Sequence, residues 1–95
     1  MDKNTKKRAV ALKYDQNRAG APVVVASGHG AVAENILAKA REAGVEIVAD
    51  PDLSELLARI PLGREIPPEL YQAVAEILAF VYRVNKSRLK AGKTD

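Results

Sequence analysis

Cysteine and tryptophan are absent from this 95-residue sequence, and histidine and methionine occur once each. The missing cysteine excludes a disulfide framework, a thiolate zinc site and a cysteine nucleophile. A single histidine excludes a histidine-rich metal site and any relay that needs two. Only four aromatic residues are present: Tyr14, Tyr71, Phe80 and Tyr82. The last three fall in one apolar helical stretch, which leaves little for a base-stacking platform. No apolar run approaches the roughly 18 residues of a membrane span. The start, Met1-Asp2-Lys3-Asn4-Thr5-Lys6-Lys7-Arg8, is charged and lacks the apolar segment of a signal peptide. The sequence therefore reads as soluble and intracellular.

What is present is ordinary globular composition, 47% hydrophobic and 28% charged. That is enough for one small core and not for two. The formal charge is +3, but it is unevenly placed. Residues 9–85 hold seven basic and ten acidic residues, a net of −3. The excess of cations lies in a basic N-terminal tail, residues 1–8, and a basic C-terminal tail, residues 86–95. A nucleic-acid binder usually carries its basic stripe on the folded surface, so the sequence predicts one domain over 9–85 that does not bind nucleic acid.

Ala9-Val10-Ala11-Leu12-Lys13-Tyr14-Asp15 has the composition of a strand. Asn17, Gly20 and Pro22 mark a turn. Val23-Val24-Val25-Ala26 is β-branched at three consecutive positions, which suits a strand buried on both faces. From Ala31 to Ala43, apolar residues at Val32, Ile36, Leu37, Ala40 and Ala43 follow a helical period, and Gly44 stops it. Val45-Glu46-Ile47-Val48 then predicts a third strand, parallel to the second through a right-handed crossover. Asp50-Pro51 caps and opens a second helix whose inner face is Leu53, Leu56, Leu57 and Ile60. Pro67-Pro68-Glu69 opens the longest helix, with a stripe of Leu70, Val74, Ile77, Leu78, Val81 and Tyr82. Ile66 and Tyr71 are spaced for a hydrophobic staple. Tyr71 and Tyr82 are expected in the core with their hydroxyls at its rim. The fold class is α/β, a small mixed sheet of three strands packed by three to four helices.

The sharpest chemical pattern is Gly28-x-Gly30-x-x-Ala33 between strand and helix, with Asp50 at the end of the next strand. Such a layout can cradle a pyrophosphate on backbone amides and a helix N-terminus. It competes with a plainer explanation, a tight strand-to-helix turn followed by a helix cap. His29 reads as a solvated loop side chain. Ser27 has no base at a triad spacing and no nucleophile-elbow context. Glu65 and Glu69 read as first-turn helix charges. No catalytic residue, metal ligand or cofactor is assigned. A nucleotide-binding domain built on Gly28 and Gly30, and nucleic-acid binding through the basic tails, are the alternatives.

The order of segments carries a resemblance. Residues 9–15, then Ala21-Pro22-x-Val24-Val25-Ala26-x-Gly28, then Ile66-Pro67-x-x-Leu70-Tyr71-x-Ala73-Val74-Ala75-x-Ile77-Leu78-Ala79-x-Val81-Tyr82, resemble the cytoplasmic C-terminal domain of the FlhB/YscU export switch proteins. The resemblance covers about residues 9–83. It implies a non-enzymatic role in flagellar or type III protein export, beneath the export gate, where the domain helps select secretion substrates. Export-gate proteins and secretion substrates are the implied partners, and a cytoplasmic position peripheral to the inner membrane is the implied location. The family's self-cleaving loop reads Asn-Pro-Thr-His, whereas this chain has Asn4-Thr5-Lys6-Lys7. Ser27 stands where the family has Lys, and Glu55 falls in a stretch that also departs from it. In the family that loop joins two strands, and this sequence begins almost at the loop. The strand at 9–15 is therefore expected to offer an open edge, either to a partner's strand or to a second copy. Lys6, Lys7, Arg8, Lys13, Ser27 and Glu55 are the candidate interaction residues, and Asn4 is a vestigial cleavage position.

Without the Pro and His that shape and assist attack by the Asn side chain, Asn4 is not expected to cyclise. The intact mass should persist through prolonged incubation at mildly alkaline pH. A discrete fragment ending at Asn4, abolished by Asn4→Ala, would show the opposite.

Overall fold

The computed structural model describes residues 7–15, 17 and 20–93, with side chains to residue 85. Two strands, β1 (Arg8–Lys13) and β2 (Val23–His29), pair antiparallel. Three α-helices follow: α1 (Ala31–Glu42), α2 (Pro51–Leu57) and α3 (Tyr71–Lys93). A short 3₁₀ turn, Pro68–Leu70, leads into α3.

The register runs from Arg8↔His29 to Ala11↔Ala26, then steps to Leu12↔Val24. Val25 is the extra residue of a bulge, and its side chain is 50% exposed. This corrects the expectation that Val23–Ala26 is buried on both faces. Only Val24 is fully buried, with Val23 and Ala26 half-buried and Val25 exposed.

Helix boundaries follow local chemistry. The Asp50 carboxylate accepts from the Leu53 N–H at 3.1 Å, and Pro51 occupies a first-turn position with no hydrogen bond to lose. α1 ends in a paired closure. Gly44 N–H donates to Arg41 O at 3.2 Å, and Val45 N–H to Ala40 O at 2.9 Å. Gly44 sits at φ +73°, as this termination requires.

The two faces of the sheet are covered by different layers. Val10, Leu12 and Val24 face a core of Leu53 and Leu57 from α2, Ile66, and Val74 from α3. On the opposite face Ala9 and Gly28 pair, and α1 packs over them through the fully buried Ala33. The outer edge of β2 is closed by residues 63–66. Gly63 N–H donates to Val24 O at 2.8 Å, Val24 N–H to Arg64 O at 3.0 Å, and Ile66 N–H to Pro22 O at 2.9 Å.

The third strand expected over 45–48 does not form. This stretch pairs with no strand among the described residues, so the sheet is antiparallel and two-stranded rather than mixed and three-stranded. The reason is positional. The free edge of β2 is already taken by residues 63–66, and a groove separates β1 from residues 45–48. Tyr71 and Tyr82 are not in the core either, being 47% and 54% exposed. The stripe on α3 is narrower than expected, with Val74 fully buried and Leu70, Ile77, Leu78 and Val81 half-buried around it.

Val74 is thus the anchor of α3. Val74→Ala should cost about 2–3 kcal/mol in urea unfolding, a large share of a small domain's stability. An effect below about 0.5 kcal/mol, the size typical of surface positions, would mean that α3 docks through a different face.

Candidate functional site

Among the described residues, one edge of the sheet is open. Gly30 N–H donates to Lys7 O at 2.9 Å, which extends the ladder one step past Arg8↔His29. Antiparallel pairs alternate between bonded and non-bonded positions. Lys7, Ala9 and Ala11 therefore bond to β2, and Arg8, Val10 and Leu12 turn their N–H and C=O groups away from it. Val24, opposite Leu12, likewise directs its own pair outward, to residues 63–64.

The groove beyond this edge is a slot. Arg8–Leu12 form one wall and residues 45–48 the other. Ile36, Leu37 and Ala40 of α1 line it on one side, and Leu53, Leu57, Ile77 and Val81 on the other. Both helical layers thus reach past the edge of the sheet they cover. Val45, Ile47 and Val48 are exposed apolar side chains on the far wall.

Three of the sequence-predicted residues meet at one end of this slot. Lys7, Arg8 and Glu55 line its mouth together with Asp50. Lys7 Nζ lies 3.3 Å from Glu34 Oε1 in the first turn of α1, and Glu55 pairs with Arg59 at 3.9 Å. Both pairs are well exposed, and such pairs contribute at most about 1 kcal/mol. Lys13 stands at the other end of β1, beside Tyr14, Asp15 and Glu65. Ser27 is half-buried opposite Val10. Asn4 and Lys6 lie outside the described residues.

Sequence reasoning missed a second surface. A cleft of ≈ 570 Å³ lies between the end of β1, the turn before β2 and the start of α3. Buried Pro22, Ile66 and Val74 are part of its lining, as are exposed Tyr14 and Tyr71, 44% and 47% accessible, and Glu65. Its residues come from four separate segments, so no local spacing could announce it.

The nucleotide-binding alternative loses its basis. The residues after β2 do not return to a parallel strand beside it. Asp50 is engaged as the α2 cap. Gly28 has a packing reason for being glycine, because a Cβ there would collide with the side chain of Val32 on α1. No group of three or more metal-ligating side chains occurs among the described residues, and no helix there is long and apolar enough to cross a membrane.

Comparison with known proteins is consistent with this architecture. The model of the FlhB HrpN YscU SpaS Family matches residues 3–81. The uncharacterized protein YlqH of Bacillus subtilis is 44% identical over 81 residues, covering 85% of this chain and 87% of that protein. The flagellar biosynthetic protein FlhB of Escherichia coli is 43% identical over 86 residues, 90% of this chain but 22% of that protein. This chain therefore spans about a fifth of the length of the FlhB relatives it matches. The crystal structure of the cytoplasmic domain of FlhB from Shewanella putrefaciens superposes with a TM-score of 0.83 at 37% identity, over 90% of this chain and 67% of that one.

If Gly28 is a contact glycine, Gly28→Ala should destabilise by about 1–3 kcal/mol through overpacking. Adding Val32→Ala should restore much of that loss. Thermal or urea melts of the two variants check it, and the idea fails if the single variant melts like the parent.

Proposed function

Because the chain belongs to the FlhB HrpN YscU SpaS Family, we propose that it is a non-enzymatic interaction module of the flagellar or type III protein export apparatus. It works in protein secretion and substrate selection, on the cytoplasmic side of the inner-membrane export gate. Asn4-Thr5-Lys6-Lys7 does not carry self-cleavage in this reading.

The open edge of β1 is the observation that carries the proposal. A strand entering the slot would bond to the outward groups of Arg8, Val10 and Leu12 on one side and reach residues 45–48 on the other. Main-chain pairing then supplies affinity, and the two helical layers supply side-chain pockets. The occupant is an extended strand of an export-gate partner, and the upstream strand of a full-length switch protein is the first to test. A second copy fits less well. Antiparallel pairing of β1 with itself about Val10 would set Lys13 opposite Lys7, a like-charge cross-strand pair. Substrate selection falls to the tyrosine-rimmed cleft, whose apolar floor and polar rim suit a peptide side chain.

Amide hydrogen exchange tests the slot. In the chain alone, Val10 and Leu12 should exchange fast while Ala9 and Ala11 are protected. A peptide carrying the partner strand should slow Val10, Leu12 and residues 45–48 together. Protection of Val10 and Leu12 that depends on protein concentration, with a dimer mass, would assign the edge to a second copy. Strong protection in the monomer, unchanged by the peptide, would sink the reading.

A further inference from the structure

We propose that Glu65 sets the specificity of the tyrosine-rimmed cleft, so that the cleft takes a peptide carrying an apolar side chain with a lysine or arginine beside it. The proposal rests on the cleft being a peptide-docking surface, and it adds the chemical class of the peptide.

Among the described residues, Glu65 is the only charged one that lines the cleft. The others are Tyr14 and Tyr71 at the rim and glycine, alanine, proline or aliphatic residues below. No cation lines it. Among the described residues the ion pairs are Lys7 with Glu34 and Arg59 with Glu55, and Glu65 belongs to neither.

The position of this carboxylate is set by the fold. Glu65 forms a bridge with Val23, and its neighbours on each side bond to β2 through Val24 N–H to Arg64 O and Ile66 N–H to Pro22 O. Its main chain is therefore pinned as a short extra strand. The side chain lies across Gly20, where an added Cβ would fall 2.7 Å from Glu65 Oε2. Gly20 has φ +124°, so a backbone conformation open mainly to glycine leaves the space that the carboxylate occupies. The same side chain also lines the neighbouring cleft that contains Lys13, Tyr14 and Asp15.

Glu65 is exposed, so its attraction for a cation is that of a surface charge pair. Two tyrosine rings at the same rim add faces on which an ammonium or guanidinium can rest. An apolar side chain would fill the floor at Ile66 and Val74 while the adjacent cation meets Glu65. An acidic residue in that position would be repelled, which gives the cleft a basis for rejecting segments as well as accepting them.

The test uses the full chain and two fluorescein-labelled peptides. One has a phenylalanine flanked by lysine, and its twin has glutamine in place of the lysine. Binding is followed by fluorescence anisotropy at low and high salt. The lysine peptide should bind about fivefold more tightly than its twin, the scale of one exposed charge pair with ring contact. Glu65→Gln should remove that preference and leave the twin unchanged, and Glu65→Lys should reverse it. Ala75→Gln, an exposed helical position lining the cleft, should weaken both peptides. If Ala75→Gln weakens both but Glu65→Gln changes neither, the cleft stands as a docking site and the role of Glu65 is overturned. If neither peptide binds, or neither responds to Ala75→Gln, the docking reading itself falls and Glu65 with it.

Discussion

The bonds that Val24 makes on its outer side hold the molecule together. A two-stranded sheet cannot stand alone in water, because it has two faces and two edges to cover. Residues 63–66 cover one edge through Val24 and Pro22. In doing so they place Ile66 against the sheet and start α3 at the correct spot for Val74 to reach the same core. Without that seam, α2 and α3 would have no common surface to pack on. The seam also decides which edge stays open. With β2 occupied, only β1 can extend the sheet.

The layers then give the open edge its character. Small residues at Ala9 and Gly28 let α1 approach closely on one face, while Leu53, Leu57 and Val74 fill the other. Both layers overhang the edge, so what lies beyond β1 is a walled slot and not a bare row of amides. Exposed edges invite indiscriminate pairing. Here the edge is walled by both layers, and the exposed cations Lys7, Arg8 and Lys13 stand at the two ends of the strand.

Much of this was legible from short-range chemistry. The start of α1 after Gly30, its stop at Gly44, the Asp50 cap with Pro51, and the Pro67-Pro68 entry to the last helix all depend on residues within a turn of each other. The open edge at 9–15 was expected only from what the family resemblance implies, not from local chemistry. What was not legible depends on contacts between distant parts. A strand needs a neighbour, and nothing within Val45–Val48 says that no described strand lies beside it while residues 63–66 have taken the edge of β2. Tyr71 follows the apolar pattern of its helix, yet its side of α3 faces the cleft. The cleft itself joins Tyr14, Pro22, Glu65 and Tyr71, residues with no common period. Glu65 looked like an ordinary first-turn charge because its pairing with Val23 is invisible in one dimension.

The bulge at Val25 divides the sheet into two phases. Before it, Ala26 to His29 keep step with Arg8 to Ala11, beside the slot. On its other side, Val23 and Val24 keep step with Leu12 and Lys13, next to Pro22 and Tyr14 of the cleft. One surplus residue acts as a slip joint between these halves. Loop changes near Pro22 can therefore be absorbed without shifting the side chains that frame the slot, and a new strand beside Val10 need not transmit its register to Tyr14. The two surfaces also share Val74 and Leu78, so the bulge separates the register of their edges and not their common floor.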